Sequence, residues 1–115
     1  MKKISLIGAG NIGTILAYSI SRKKLGNIVL VDVLDGLAKG KCLDLSQSLS
    51  LDNISADIEG STDLAKIKQS DVIIITAGIA RKPGMSRDDL IETNLSIIVS
   101  IGKAIKRYSK NSFVI

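Results

Sequence analysis

Three groups of residues in this 115-residue chain have types and spacings that could do chemistry. The first is Gly8-Ala9-Gly10-Asn11-Ile12-Gly13, a G-x-G-x-x-G run between an apolar stretch and an amphipathic one. In that setting Gly8 permits a tight turn, Gly10 lets backbone approach a pyrophosphate, and Gly13 lets helix and strand pack closely. A helix opening there presents free N–H groups and a positive dipole end to phosphate oxygens. The second is Asp32, at the end of the next apolar run. A carboxylate there can accept hydrogen bonds from the hydroxyls of an adenine ribose and repel a 2′-phosphate, which favours NAD over NADP. The third is the stretch from Thr76 to Arg87, in which Arg81 and Arg87 flank a Pro83-Gly84 turn. Guanidinium groups suit carboxylates bidentately, and a loop of this kind can close over a substrate and exclude water. On residue types alone, an ordinary strand–helix turn, a strand-end aspartate and two solvated loop arginines stay open as alternatives.

The surrounding pattern supplies elements to position these groups. Lys3 to Gly8 reads as a buried strand. Asn11 to Lys24 reads as a helix with Ile12, Ile15, Leu16, Tyr18 and Ile20 toward a sheet, ended by Gly26. A second strand runs from Ile28 to Val33. Asp35 then caps a helix through Leu51 that buries Leu37, Leu43, Leu45 and Leu49. Ile54 to Glu59 alternates as a half-exposed strand, Thr62 to Gln69 is a short helix, and Asp71 to Thr76 is a fully buried strand. Lys82-Pro83-Gly84 marks a loop. Ser86, with Asp89 completing a capping box, starts a long helix to about Tyr108, and Ser112 to Ile115 begins one more strand. Strands alternating with helices predict an α/β fold, a Rossmann-type doubly wound parallel sheet with helices on both faces. Six strands are usual for such a domain. Five are counted here, so residues 1–115 are expected to form an incomplete NAD-binding domain truncated within its fifth strand.

Composition narrows the classes of function. Apolar residues make up 45% and charged residues 23%, which excludes a disordered tail and a low-complexity chain. A single Cys42 cannot form an internal disulfide, so a secreted stapled scaffold is excluded. Net charge is +5, but the positive residues are scattered and only three aromatics are present, which argues against a nucleic-acid surface. Most of the cations fall near the ends of predicted helices, where they suit the dipole. Lys2-Lys3 before an apolar run resembles a signal peptide, yet Gly8, Gly10, Gly13 and Asn11 interrupt it. No apolar stretch approaches the ~20 residues of a membrane span. A cytoplasmic chain with no membrane partner and no metal is expected. There is no histidine at all, so the usual general acid–base near neutral pH is missing.

Taken together, GAGNIG at Gly8 to Gly13, Val31-Asp32, DLSQS at Asp44 to Ser48 and TAGIARKPGMSRDDL at Thr76 to Leu90 resemble the malate dehydrogenases. The likeness is to the N-terminal portion of the bacterial type related to lactate dehydrogenase. It implies reversible, NAD-dependent oxidation of malate to oxaloacetate. By this resemblance Gly8, Ala9, Gly10, Asn11, Ile12 and Gly13 bind the pyrophosphate, Asp32 the ribose, and Thr76 to Gly78 line the cofactor crevice. Arg81 pairs with the distal carboxylate of malate or oxaloacetate, Arg87 polarises the reacting carbonyl, and Asn94 contacts NAD. The family's Asp–His pair and a further substrate-clamping arginine are expected beyond the residues seen here, in a C-terminal substrate domain. The resemblance also implies a homo-oligomer, dimer or tetramer. Two alternatives stand beside it: a nucleotide-binding module or gene remnant without catalysis, which the missing histidine favours, and a lactate dehydrogenase-like 2-hydroxy acid dehydrogenase. Arg81 argues against the latter, because lactate dehydrogenases typically carry glutamine there.

Overall fold

Short β-branched runs separated by longer helical stretches can bury both faces of each strand only in a sheet with helices on either side. That is the architecture of the computed structural model, which describes residues 1–115. The elements are β1 (Lys3–Ile7), α1 (Asn11–Arg22), β2 (Asn27–Val31), α2 (Leu37–Leu51), β3 (Ile58–Ser61), a 3₁₀ turn (Leu64–Ile67), β4 (Val72–Ile75), α3 (Arg87–Tyr108) and β5 (Phe113–Val114). All pairings are parallel and the strand order is β3-β2-β1-β4-β5. The order reverses between β1 and β4, the switch point where open α/β sheets form a crevice at their carboxyl edge. Register makes that edge level: Ile7 stands opposite both Val31 and Ile75. Gly8, Asp32 and Thr76 therefore leave three adjacent strands side by side.

Strand alternation divides the core in two. Ile4, Leu6, Ile28 and Leu30 pack with Ala17 and Ile20 of α1 and Ala38 and Cys42 of α2. Ile7, Val29, Val31 and Ile73 face the other way, onto Ile67, Ile101 and Ala104. Each fully buried Leu, Ile or Val contributes about 1.5–3 kcal/mol. α3 starts as its sequence predicts: the Ser86 hydroxyl accepts from the Asp89 N–H and the Asp89 carboxylate accepts from the Ser86 N–H, both at 3.0 Å. Arg22, Lys106 and Arg107 occupy last turns of their helices, where cations are favourable. No helix is long and apolar enough to cross a membrane.

Several sequence expectations are corrected, and the reasons are tertiary. α1 ends at Arg22, and the left-handed residue behind it is Lys24 (φ +54°), not Gly26. Gly26 instead makes room for Lys2, whose carbonyl oxygen a Cβ there would strike. Asp35 caps nothing; α2 opens behind Gly36 in a left-handed conformation, with no side-chain cap. Leu43 is 59% exposed and Leu37 and Leu45 are half-buried, because α2 meets the sheet through Ala38, Cys42 and Leu49. The approach is close enough that a Cβ on Gly60 of β3 would collide with the Ala38 backbone. Likewise α1 turns Ile12 and Ile15 outward and buries Gly13, Ala17, Ile20 and Ser21. β2 stops at Val31, short of the predicted Val33. β3 is displaced to Ile58–Ser61 by its pairing with β2, and the short helix expected over Thr62 to Gln69 is a single 3₁₀ turn at Leu64–Ile67. Only Ile73 of β4 is sealed; its neighbours are half-buried.

The opposite edge of the sheet is held by one carboxylate. Asp71 accepts from the Lys3 N–H at 2.8 Å and from the Lys2 ammonium at 2.9 Å. These partners, the backbone N–H foremost, hold the Asp71 carboxyl below the usual carboxylate range. Such a group adds stability above its unfolded pKa, and that stability is lost as pH falls through its folded one. The urea midpoint should fall as pH drops below about 4, and the fall should be shallower in Asp71→Asn. Asp89, similarly lowered by Ser86, supplies part of the remaining slope. Equal slopes in the two proteins would contradict the assignment.

Candidate functional site

The glycine loop is fixed from three sides. Gly8 donates its N–H to the Val31 carbonyl at 2.8 Å and has φ +115°. A Cβ at Gly8 would lie 2.7 Å from the Thr76 hydroxyl oxygen and 2.8 Å from the Ala77 nitrogen. A Cβ at Gly13 would collide with the Gly8 carbonyl oxygen, so α1 can lie this close to β1 only with glycine there. Gly10 is different: nothing lies within 4 Å of where its Cβ would be. It is the N-cap of α1 and provides no side-chain cap. The first intrahelical bond is from Thr14 to Gly10, so the N–H groups of Asn11, Ile12 and Gly13 have no partner in the protein. Free donors, a positive helix end and open space over Gly10 together make a seat for an anionic group.

Asp32 stands at the rim of that seat, with one oxygen accepting from the Ala9 N–H at 2.7 Å and the other from the Leu34 N–H at 3.0 Å. Two of the roughly four acceptor positions of a carboxylate are therefore occupied and the rest are free. Thr76 forms the facing wall. Its N–H donates to the Ile7 carbonyl at 2.9 Å and its hydroxyl to the Gly8 carbonyl at 3.2 Å. Nothing in the sequence pattern singles out the Asp32–Ala9 bond, which joins residues from two different strand ends.

Beyond Thr76 the chain runs without regular structure to α3. Its root is held by Asn94, whose amide accepts from the Ile79 N–H at 2.9 Å and donates to the Ile79 carbonyl at 3.3 Å. Asn94, read from the resemblance as a cofactor contact, thus spends one donor and one acceptor position of its amide on the Ile79 backbone and keeps one of each free. An asparagine inside a helix, where it is a poor former, is the only sequence signal for that clamp. Gly84 (φ +81°) and a bond from the Met85 N–H to the Lys82 carbonyl at 3.1 Å form the turn. Arg81 donates from Nε to the Met85 carbonyl at 3.0 Å, leaving its terminal nitrogens free. Arg87 is the first residue of α3. A cation there opposes the helix dipole. Both arginines are exposed and neither pairs with a carboxylate. Cys42 lies outside the site; burial first, then Glu59, pushes its thiol up to about 11, so it is no nucleophile at neutral pH.

Comparison with known proteins agrees with this geometry. The family model described as lactate/malate dehydrogenase, NAD binding domain, matches residues 2–115. The chain is 51% identical over 114 residues to a malate dehydrogenase of Geotalea uraniireducens, covering 99% of this chain and 36% of that protein. It is 52% identical over 114 residues to one from Ehrlichia canis, with the same coverage. Among solved structures, the apo malate dehydrogenase of Picrophilus torridus superimposes with a TM-score of 0.92 at 45% identity, covering 98% of this chain and 36% of that one. A lactate dehydrogenase from Eimeria maxima with NADH and oxamate gives 0.90 at 39%, covering 98% and 34%. The chain therefore spans little more than a third of the length of these relatives.

The glycines separate fold from site. Gly13→Ala should cost about 1–3 kcal/mol, because backbone must move to admit the methyl group. Gly10→Ala should cost less than about 1 kcal/mol, its φ of −71° and open surroundings suiting alanine. Urea denaturation of both variants measures the difference; equal losses would contradict the open seat.

Proposed function

The chain belongs to the lactate/malate dehydrogenase family, as its NAD-binding domain, and from that premise we propose that it is the cofactor-holding part of a malate dehydrogenase. NAD is the cofactor of this domain. The residues present fit it: the donor-rich end of α1 over Gly10 suits a pyrophosphate, and Asp32 beside it suits a ribose. When bound, NAD supplies a nicotinamide ring that accepts or returns a hydride. In this reading the N–H groups of Asn11, Ile12 and Gly13 bind the phosphates, the free lone pairs of Asp32 take the ribose hydroxyls, and Thr76 to Gly78 line the crevice. Asn94 acts through Ile79, keeping that wall in place.

The observation that carries the malate assignment is the pair of guanidinium groups without a carboxylate partner, Arg81 on the loop after β4 and Arg87 at the start of α3. Arg81 has its terminal nitrogens free for a bidentate bond to the distal carboxylate of malate or oxaloacetate. Arg87 would offer donors to the carbonyl oxygen as negative charge develops on it. In this reading the proton is moved by the Asp–His pair that the family resemblance implies; residues 1–115 contain no histidine to form it.

The two arginines have separable roles in the complete enzyme. Arg81→Gln should shift the ratio of kcat/KM for oxaloacetate over pyruvate toward pyruvate by about 30-fold or more, through loss of a charged pair and of the cation that a loop closed over pyruvate would leave unpaired. Arg87→Gln should lower kcat for both acids by about 10²–10³-fold, since both carry the reacting carbonyl. Steady-state kinetics with both acids in both variants is the check. If Arg81→Gln slows the two substrates equally, Arg81 does not read the second carboxylate.

A further inference from the structure

We infer that Asp32 is a positioning residue for the glycine loop, so that recognition of the ribose and of the pyrophosphate both depend on one carboxylate. The inference rests on the nucleotide reading above and extends it. Ala9 is the residue between the turn glycine and the N-cap of α1, and it is 1% exposed. Its N–H donates to the Asp32 carboxylate at 2.7 Å, a charge-assisted bond between residues 23 apart in sequence. The Leu34 N–H, at 3.0 Å from the other oxygen, fixes the carboxylate from its own side. Gly8 before Ala9 is bonded to Val31. Gly10 after it has open space around it; Thr14 holds the carbonyls here, its hydroxyl donating to that of Ala9 at 3.2 Å and its N–H to that of Gly10 at 3.0 Å, while Asp32 alone holds the Ala9 N–H.

The consequence is that Asp32 cannot be replaced by a side chain without a hydrogen-bond acceptor unless the phosphate seat is disturbed as well. Its removal leaves a buried N–H unsatisfied, and the loop must move to hydrate it. Two opposing effects make this testable. A carboxylate near a phosphate site repels anions, so a residue that served the ribose alone would, when removed, leave inorganic pyrophosphate binding unchanged or tighter. A residue that braces the loop would, when removed, weaken it.

The experiment titrates inorganic pyrophosphate, NAD and NADP into the wild type, Asp32→Ala and Asp32→Asn, and follows hydrogen exchange at the Ala9 amide. In Asp32→Ala, pyrophosphate affinity should fall about tenfold, NAD should weaken further still, and Ala9 exchange should accelerate. In Asp32→Asn, the amide oxygen can still accept from Ala9 without the charge. Pyrophosphate binding should then return to wild-type strength or better, while the preference for NAD over NADP stays relaxed. Unchanged or tighter pyrophosphate binding in Asp32→Ala, or unchanged Ala9 exchange, would overturn the brace and leave the ribose role. A wild type that binds neither NAD nor pyrophosphate would overturn the nucleotide reading instead, and Ala9 exchange would still decide whether the bond braces the loop.

Discussion

The structure depends on one close approach of backbone to backbone. α1 lies on β1 so closely that a methyl group at Gly13 would collide with the Gly8 carbonyl. That approach sets where α1 begins, and so where its unpaired N–H groups and positive end are aimed. The same crowding reaches across the sheet: Gly8 has no room for a side chain beside Thr76 and Ala77 on the neighbouring strand end. Because β1, β2 and β4 end level with one another, the glycine turn, the Asp32 carboxylate and the loop after β4 come to a single edge. The cost is a helix whose first turn relies on no side-chain cap. An anion at that end would complete it.

Parts of this were legible in the sequence because they are written locally. The glycine spacing, the Ser86–Asp89 capping box and the alternation of strands and helices each sit within a few residues of chain, and each forms as read. The reversal of strand order at β1 follows from the doubly wound fold expected from that alternation. The glycine seat and the side-by-side placement of Asp32 follow in turn, since both lie at ends of neighbouring strands.

What the sequence did not reveal was decided between elements. Ile12, Ile15 and Leu43 fit an apolar helical face by type, yet close helix–sheet contact selects Gly13, Ala17, Ala38 and Cys42 instead. Small residues let backbones approach, and a pattern that counts large apolar side chains overlooks them. α1 ends at Arg22, so the left-handed position behind it falls on Lys24, while Gly26 makes room for Lys2. The bonds from the Ala9 N–H to Asp32 and from the Ile79 N–H to Asn94 join residues 23 and 15 apart in the chain. Neither leaves a spacing to read. Both turn a residue expected only to touch a ligand into one that also holds the protein in shape.

If the open end of α1 over Gly10 receives the cofactor's pyrophosphate, NAD binding must be felt there first. The most direct measurement is to titrate NAD into the chain and follow backbone amide chemical shifts residue by residue. The largest changes are expected at Gly10, Asn11, Ile12 and Gly13, with smaller ones at Asp32 and Thr76, and little at the outer face of α3 around Leu95 and Val99. Saturable changes confined to α3, or no changes in the glycine loop at NAD concentrations that saturate binding, would contradict it.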